Sequence, residues 1–305
     1  MTTLEDRRPL RVPEEPPATR RPPRRSVPGK GRTRNVLFAL VFLYLIVPPL
    51  AALFFSLSAK QYDGLFPQDW TLSHWTGIFD DERLIAAIRR SAVLALGTVA
   101  LVTLLVLPPL YWAYVRNPKL RTIMLVLALL PFSLPFVVMA FGIDRVAEQV
   151  AFLEGYSGTG LMVLIGHVAL CFAFYLWPVD AAMSAAGVNR LHEAAQASGA
   201  GPVTTLVRCI IPNIMPGLVS GSILVFAISW GEYSIAKIMT RSQYEIVPIW
   251  QVNLTPVNGT SDPRGVAVMS VFTFVLFLVV SLIAAIKGTS RVSLDETHPT
   301  AAKES

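Results

Sequence analysis

Six apolar runs, at roughly 36–58, 92–114, 123–143, 160–183, 217–239 and 266–286, limit what this chain can become. Each is near the length an α-helix needs to cross a hydrocarbon layer of ~30 Å. Within such a layer no water is available to the backbone, so each run must satisfy its own N–H and C=O groups as a helix. The expected fold class is all-α, a polytopic membrane bundle of six transmembrane helices. Composition agrees: 53% of the residues are hydrophobic and only 15% charged, against about a quarter charged in soluble domains. Prolines interrupt several runs, at Pro48-Pro49, Pro108-Pro109, Pro131, Pro135 and Pro178. Such breaks suit a bundle whose neighbouring helices re-satisfy the freed groups better than they suit a simple anchor.

The charge is uneven. Residues 1–35 hold ten Lys/Arg and four Asp/Glu, a net of +6 that equals the whole chain's. Seven prolines lie among them, so this stretch is expected to be a disordered, basic, cytoplasmic tail with a residual attraction to anionic membrane lipid. It has no aromatic residue before Phe38, which argues against a nucleic-acid partner. It is also too long and Pro-interrupted for the n-region of a cleaved signal peptide, so the first run reads as a retained helix. With the N-terminus inside, segments 1–35, 115–122, 184–216 and 287–305 carry eighteen of the 26 Lys/Arg, which places both termini in the cytoplasm. The expected organisation is the tail 1–35, one membrane domain over 36–286, and a cytoplasmic tail over 287–305. The outer loop 59–91 carries Trp70, Trp75 and Phe79, expected to form an interfacial belt.

Catalytic patterns do not emerge. There is no G-x-x-x-x-G-K-[ST] phosphate loop, no Gly-x-Ser-x-Gly elbow and no metal-ligand spacing among four histidines and two cysteines. No cofactor is expected. Cys171 and Cys209, one in an apolar run and one in a polar loop, do not suggest a disulfide.

The most informative polar stretch is 190–216, within the loop 185–216. It reads as a helix over about 189–198, stopped by Gly199, Gly201 and Pro202. A second short helix is expected to open at Thr204 or Thr205 and to end at Pro212, where the next span begins. The unit is too polar for the bilayer interior, and its alanines offer a face that another protein can approach closely.

This stretch resembles the EAA loop of permease subunits of ATP-binding-cassette importers: Glu-Ala-Ala, three residues, Gly, nine residues, then Ile-x-Leu-Pro. The matching positions are Glu193, Ala194, Ala195, Gly199, Cys209, Ile211 and Pro212, with Cys209 in place of Ile and Ile211 in place of Leu. Gln243-Tyr244-Glu245-Ile246-Val247-Pro248 and Gly166-His167-Val168-Ala169-Leu170-Cys171-Phe172 are similar to segments of the polyamine-type group. The resemblance implies a type I importer permease whose loop, through Glu193, Ala194, Ala195, Gly199 and Pro212, couples to a separate ATPase. It also implies a machine of two permease subunits, expected to be a heterodimer, with two ATP-binding subunits and an extracytoplasmic substrate-binding protein. A polyamine-like solute is the expectation.

Four residues in the spans are candidates for the translocation path. Glu232, after Trp230-Gly231 in the fifth run, is an ionisable group expected near the midplane, where it should face a cavity or a partner. Asp180 lies near the inner end of the fourth run, where interfacial solvation also explains it. His167 sits in the outer third of that run, where an interhelical hydrogen bond is the competing reading. An ion-driven secondary transporter is the alternative. It predicts an inverted repeat with paired broken helices, and no repeat is evident.

Overall fold

The computed structural model describes residues 30–59, 67, 69–241, 243–254 and 263–295. The basic tail up to Gly29 and residues 296–305 therefore lie outside the described residues, as does part of the outer loop. Among the described residues every regular element is helical, and one isolated antiparallel bridge joins Ser58 to Trp70. Five helices are long and apolar enough to cross a membrane, and a bent pair makes a sixth candidate.

Helix α1 runs over Lys30–Ser56. Residues up to Val47 and residues from Pro48 onward form two separate units. In the first, every side chain from Arg34 to Leu45 is exposed. The second unit begins with the end of α1, the short α2 (Ser73–Gly77), a 3₁₀ turn over Ile78–Asp80 and then α3 (Glu82–Val115). Asp81 starts α3 by accepting hydrogen bonds from the Arg83 and Leu84 amides, at 2.8 and 3.3 Å. That cap lets α3 begin ten residues before the apolar run at 92. Of the outer-loop aromatics, Trp75 packs against the buried cluster of Leu84, Trp250 and Val268, whereas Trp70 and Phe79 are exposed.

The third span departs from expectation. Instead of one helix over 123–143, the chain forms α4 (Pro118–Leu127), α5 (Leu130–Ser133) and α6 (Phe136–Gln149), with a 108° bend between the Pro118–Ser133 and Phe136–Gln149 parts. The bend falls at Leu134, which is extended at φ −121°, ψ 140°. Pro135 follows it, and the residue before a proline is pushed out of the helical region by the ring. A single helical turn, α7 (Ala151–Glu154), leads into α8 (Gly160–Ala185).

After α9 (Val188–Ala197), the chain enters α10 (Pro202–Thr204), a π-helical segment over Thr205–Ile210 and α11 (Ile211–Gly231) without interruption. The separate short helix expected to end at Pro212 is thus the first part of a 30-residue span. Pro212 has no N–H for the preceding turn, and the wider π turns relieve the clash of its ring. The Asn213 side chain donates to the Cys209 carbonyl at 2.7 Å, meeting one acceptor there. The fifth span also ends early. Instead of continuing to 239, the helix stops at Gly231, Glu232 is extended, and α12 (Ser234–Thr240) starts anew. Helices α13 (Val247–Leu254) and α14 (Arg264–Asp295) complete the fold, and α14 carries helix well past 286.

The core is the triad α3, α8 and α11. Gly217 and Gly221 on α11, spaced four apart, let α8 approach closely. A Cβ at Gly217 would lie 2.3 Å from the Ala182 side chain and 2.8 Å from the Pro178 carbonyl oxygen, and one at Gly221 3.1 Å from Tyr175. Lipid tails give apolar helices little reason to associate, so close backbone packing of this kind supplies the attraction. Around it Val102, Val106, Leu110, Leu176, Val179 and Ile214 are fully buried.

Candidate functional site

The segment between α8 and α11 is built around α9. Gly187, at φ +61°, turns the chain out of α8. Val188 and His192 are buried and Leu191 and Ala195 half-buried, one stripe at helical spacing. The opposite face exposes Asn189, Arg190, Glu193, Ala194, Gln196 and Ala197. The helix ends in a Schellman motif. The Ala200 amide donates to the Ala195 carbonyl at 3.0 Å, and the Gly199 amide to the Gln196 carbonyl at 2.9 Å. Gly199 has φ +79°, in the left-handed region expected for it. A Cβ there would meet nothing within 4 Å, so the demand for glycine is conformational, worth roughly 1–2 kcal/mol. Gly199 and Pro212 are both exposed. The polar side chain on the buried stripe is His192, whose Nδ1 lies 2.7 Å from the Tyr111 hydroxyl of α3, with the rings edge to face.

Beside this, Asp180 is not left to interfacial water. Arg121 of α4 donates to both its oxygens, at 2.7 and 2.8 Å, and the Tyr114 hydroxyl of α3 donates at 2.9 Å. This bidentate, charge-assisted contact bolts α3, α4 and α8 together near the same end as α9.

Two other path candidates, Glu232 and His167, meet at the corner between α11 and α12. The Glu232 carboxylate accepts from the Ile235 amide at 3.0 and 2.9 Å and from the Ala236 amide at 3.3 Å. It therefore caps α12, supplying acceptors and negative charge where the new helix presents free N–H groups. His167 on α8 is fully buried, with Nδ1 2.8 Å from Ser229 Oγ and Nε2 3.5 Å from Glu232 Oε2. Ser229 donates onward to Thr98 of α3 at 3.2 Å, so one polar chain crosses all three core helices. Trp230 is buried and borders a groove of about 310 Å³, lined also by Gln251, Ser270, Thr273, Phe274 and Phe277.

Far from α9, at the start of α3, the 243–248 segment makes a second polar anchor. Arg83 donates to both Glu245 oxygens, at 3.0 and 2.7 Å, and Asn253 donates to one of them at 2.9 Å. Arg90 donates to the Glu245 carbonyl at 3.3 Å and lies over the Tyr244 ring, 5.5 Å from its centre. The Val247 amide donates to Ser91 Oγ at 2.9 Å, and Trp250 Nε1–H to Asp81 at 3.2 Å. The Arg83 guanidinium beside Glu245 holds its carboxyl below the usual carboxylate range, and Asn253 adds to this against the opposing effect of burial.

Glu232 and His167 are thus brought together at the α11–α12 corner, Trp230 packs on the other side against α13 and α14, and Asp180 lies with Arg121 at the α9 end. Sequence reasoning missed the partners: Arg121, Tyr114, Tyr111 and Arg83. A usable signal existed for Arg121, a cation in a short loop close to the acid of a neighbouring span. None existed for Tyr111.

Comparison with known proteins places this architecture. The family model described as "binding-protein-dependent transport system inner membrane component" matches residues 106–287, a stretch that holds α9, Asp180, Glu232 and Glu245. The spermidine/putrescine transport system permease protein PotC of Haemophilus influenzae is 26% identical over 251 residues, covering 81% of this chain and 94% of the relative. The putative 2-aminoethylphosphonate transport system permease protein PhnV of Salmonella paratyphi A is 25% identical, covering 82% and 93%. A chain of a bacterial transporter involved in import of the acidic polysaccharide alginate shares the fold, with a TM-score of 0.64 at 17% identity over 84% of this chain and 95% of that one. The model match extends over more than half of the sequence, so this chain belongs to the family of inner-membrane components of binding-protein-dependent transport systems, as a non-catalytic permease subunit of an ATP-binding-cassette importer.

Proposed function

We propose that this chain forms one side of the translocation path for a small, polyamine-like solute and is driven by a separate ATPase that docks on α9. The observation that carries the docking is the face of α9. It is a short, well-terminated helix that buries one stripe and leaves Arg190, Glu193, Ala194 and Ala197 exposed. Small residues beside charged ones suit close approach by a partner surface. In this reading Glu193, Ala194 and Gly199 form the contact, Ala195 packs at its edge on the bundle side, and Pro212 lies near the start of the span behind it.

The assembly proposed has a second, homologous permease, two ATP-binding subunits and an extracytoplasmic binding protein, in a bacterial inner membrane with both termini cytoplasmic. The names of the spermidine/putrescine relatives support the solute class. In this reading Trp230 faces the path from the groove between α11, α13 and α14, Glu232 and His167 set the shape of the α11–α12 corner, and Asp180 holds the α9 end.

Co-purification tests the docking. Gly199→Asp forces a side chain into the left-handed region and adds charge, so the ATPase subunit and solute uptake should both be lost while the chain still reaches the membrane. Normal ATPase stoichiometry and wild-type uptake in this variant would remove α9 from the coupling.

A further inference from the structure

We propose that Tyr111 is the residue through which α9 moves the bundle, by tying α9 to the end of α3 that lies beyond a proline hinge. The inference rests on the coupling reading of α9 and adds to it the route of transmission. Across the buried stripe of α9, Val188 and Leu191 pack into the apolar core cluster, and such contacts can slide. The hydrogen bond between Tyr111 and His192, 2.7 Å long, is directional. Tyr111 is 4% and His192 7% exposed, so water does not compete for the bond, and separating the pair leaves two buried polar groups unmet.

The position of Tyr111 within α3 gives the tie its consequence. Pro108 and Pro109 lie inside that helix. Neither has an N–H, so the helix lacks two successive hydrogen bonds there and bends more easily than elsewhere. Residues 110–115 form a short end segment past this soft point, and it carries both polar tethers: Tyr111 to α9, and Tyr114 to Asp180. Helix α8 repeats the pattern, with Pro178 just before Asp180. A displacement of α9 is therefore delivered to residues 110–115 together with the α8 end past Pro178 that Tyr114 holds, not to the whole 34-residue helix, which is anchored at its other end by Arg83 and Arg90.

The test uses the assembled transporter in proteoliposomes, with solute uptake and ATP hydrolysis measured together. Tyr111→Phe keeps the ring and removes only the hydroxyl. The ATPase subunit should co-purify normally and ATP hydrolysis persist, while solute moved per ATP falls about three- to tenfold, the range expected for one buried hydrogen bond. His192→Phe should match it, and the double variant should be no worse than either single one, because both remove the same bond. Gly199→Asp runs alongside. If it loses the ATPase while Tyr111→Phe keeps wild-type uptake per ATP, the docking reading stands and the Tyr111 link is wrong. Additive losses in the double variant would equally overturn the link.

Discussion

Two of the polar segments between the apolar runs of this chain, α9 and 243–248, use their glutamates in opposite ways. In α9 the acid is turned outward: Glu193 is exposed on a face shared with Arg190 and small residues. In the 243–248 segment it is turned inward: Glu245 is 9% exposed and held by Arg83 and Asn253, with Arg90 on its own carbonyl. The segments contact opposite ends of α3, through Tyr111 and Arg83, about 42 Å apart along the helix axis. Both look like family signatures in the sequence. Their environments separate an acid open to solvent, on the face proposed to meet the ATPase, from a brace that fixes helix positions.

Charge reversal applied to both segments gives the largest contrast. Glu245→Lys would put a third cation beside Arg83 and Arg90 and strand Asn253. The expected loss is about 2–3 kcal/mol of stability, below the roughly 3–5 of a fully buried pair because the Arg83 side chain is 62% exposed. Thermal unfolding of the detergent-purified chain should show it. Glu193→Lys should leave the unfolding midpoint where it is and weaken only ATPase co-purification. If the two variants lose similar stability, the distinction between an outward and an inward acid fails.

Glu232→Gln is a smaller change and tests the corner. The amide keeps one acceptor for the α12 amides but loses the second, together with the charge that favours a helix N-terminus. About 1 kcal/mol should be lost. Uptake at fixed expression separates the roles of this residue. A loss of uptake larger than the stability change predicts puts Glu232 in the path, and unchanged uptake leaves it as the cap of α12.

The sequence made the spans legible because burial in lipid demands long apolar helices and little else: four of the six runs appear as helices near their expected places, and a fifth is shifted to Pro202–Gly231. The positive φ of Gly199 was also legible, since a glycine following an alanine-rich helix has few other uses. Two features were hidden for definite reasons. Hydropathy registers Pro135 as a mild interruption, whereas its effect on Leu134 is a 108° change of direction. Glu232 looked like a charge stranded in a span because the end of α11 at Gly231 carries no hydropathic mark. Its carboxylate is a cap, and a cap requires a helix end that the sequence shows only through Gly231. Partners such as Tyr111 for His192 lie 81 residues away, and no local pattern connects them.

The smallest effect expected concerns pH, and it sharpens what an inward acid means. Arg83 and Asn253 hold the Glu245 carboxyl below its ordinary value of 4.5 in the folded chain. Unfolded, the group titrates near that ordinary value, so between the two the unfolded state binds the extra proton and stability rises with pH. The contribution is therefore complete at neutral pH and above about 5, and it fades as pH falls through the folded value. Because Arg83 is largely open to water, the amount is under about 1 kcal/mol. The measurement is the difference in unfolding midpoint between the wild-type chain and Glu245→Gln, followed from pH 7 down through the carboxylate range. Taking the difference cancels the titration of every other acid that the two chains share. The gap should be constant at the upper end and close at the lower. A gap that stays constant throughout would mean that Glu245 contributes through its shape and neutral hydrogen bonds, and that its charge is not what fastens the 243–248 segment to α3.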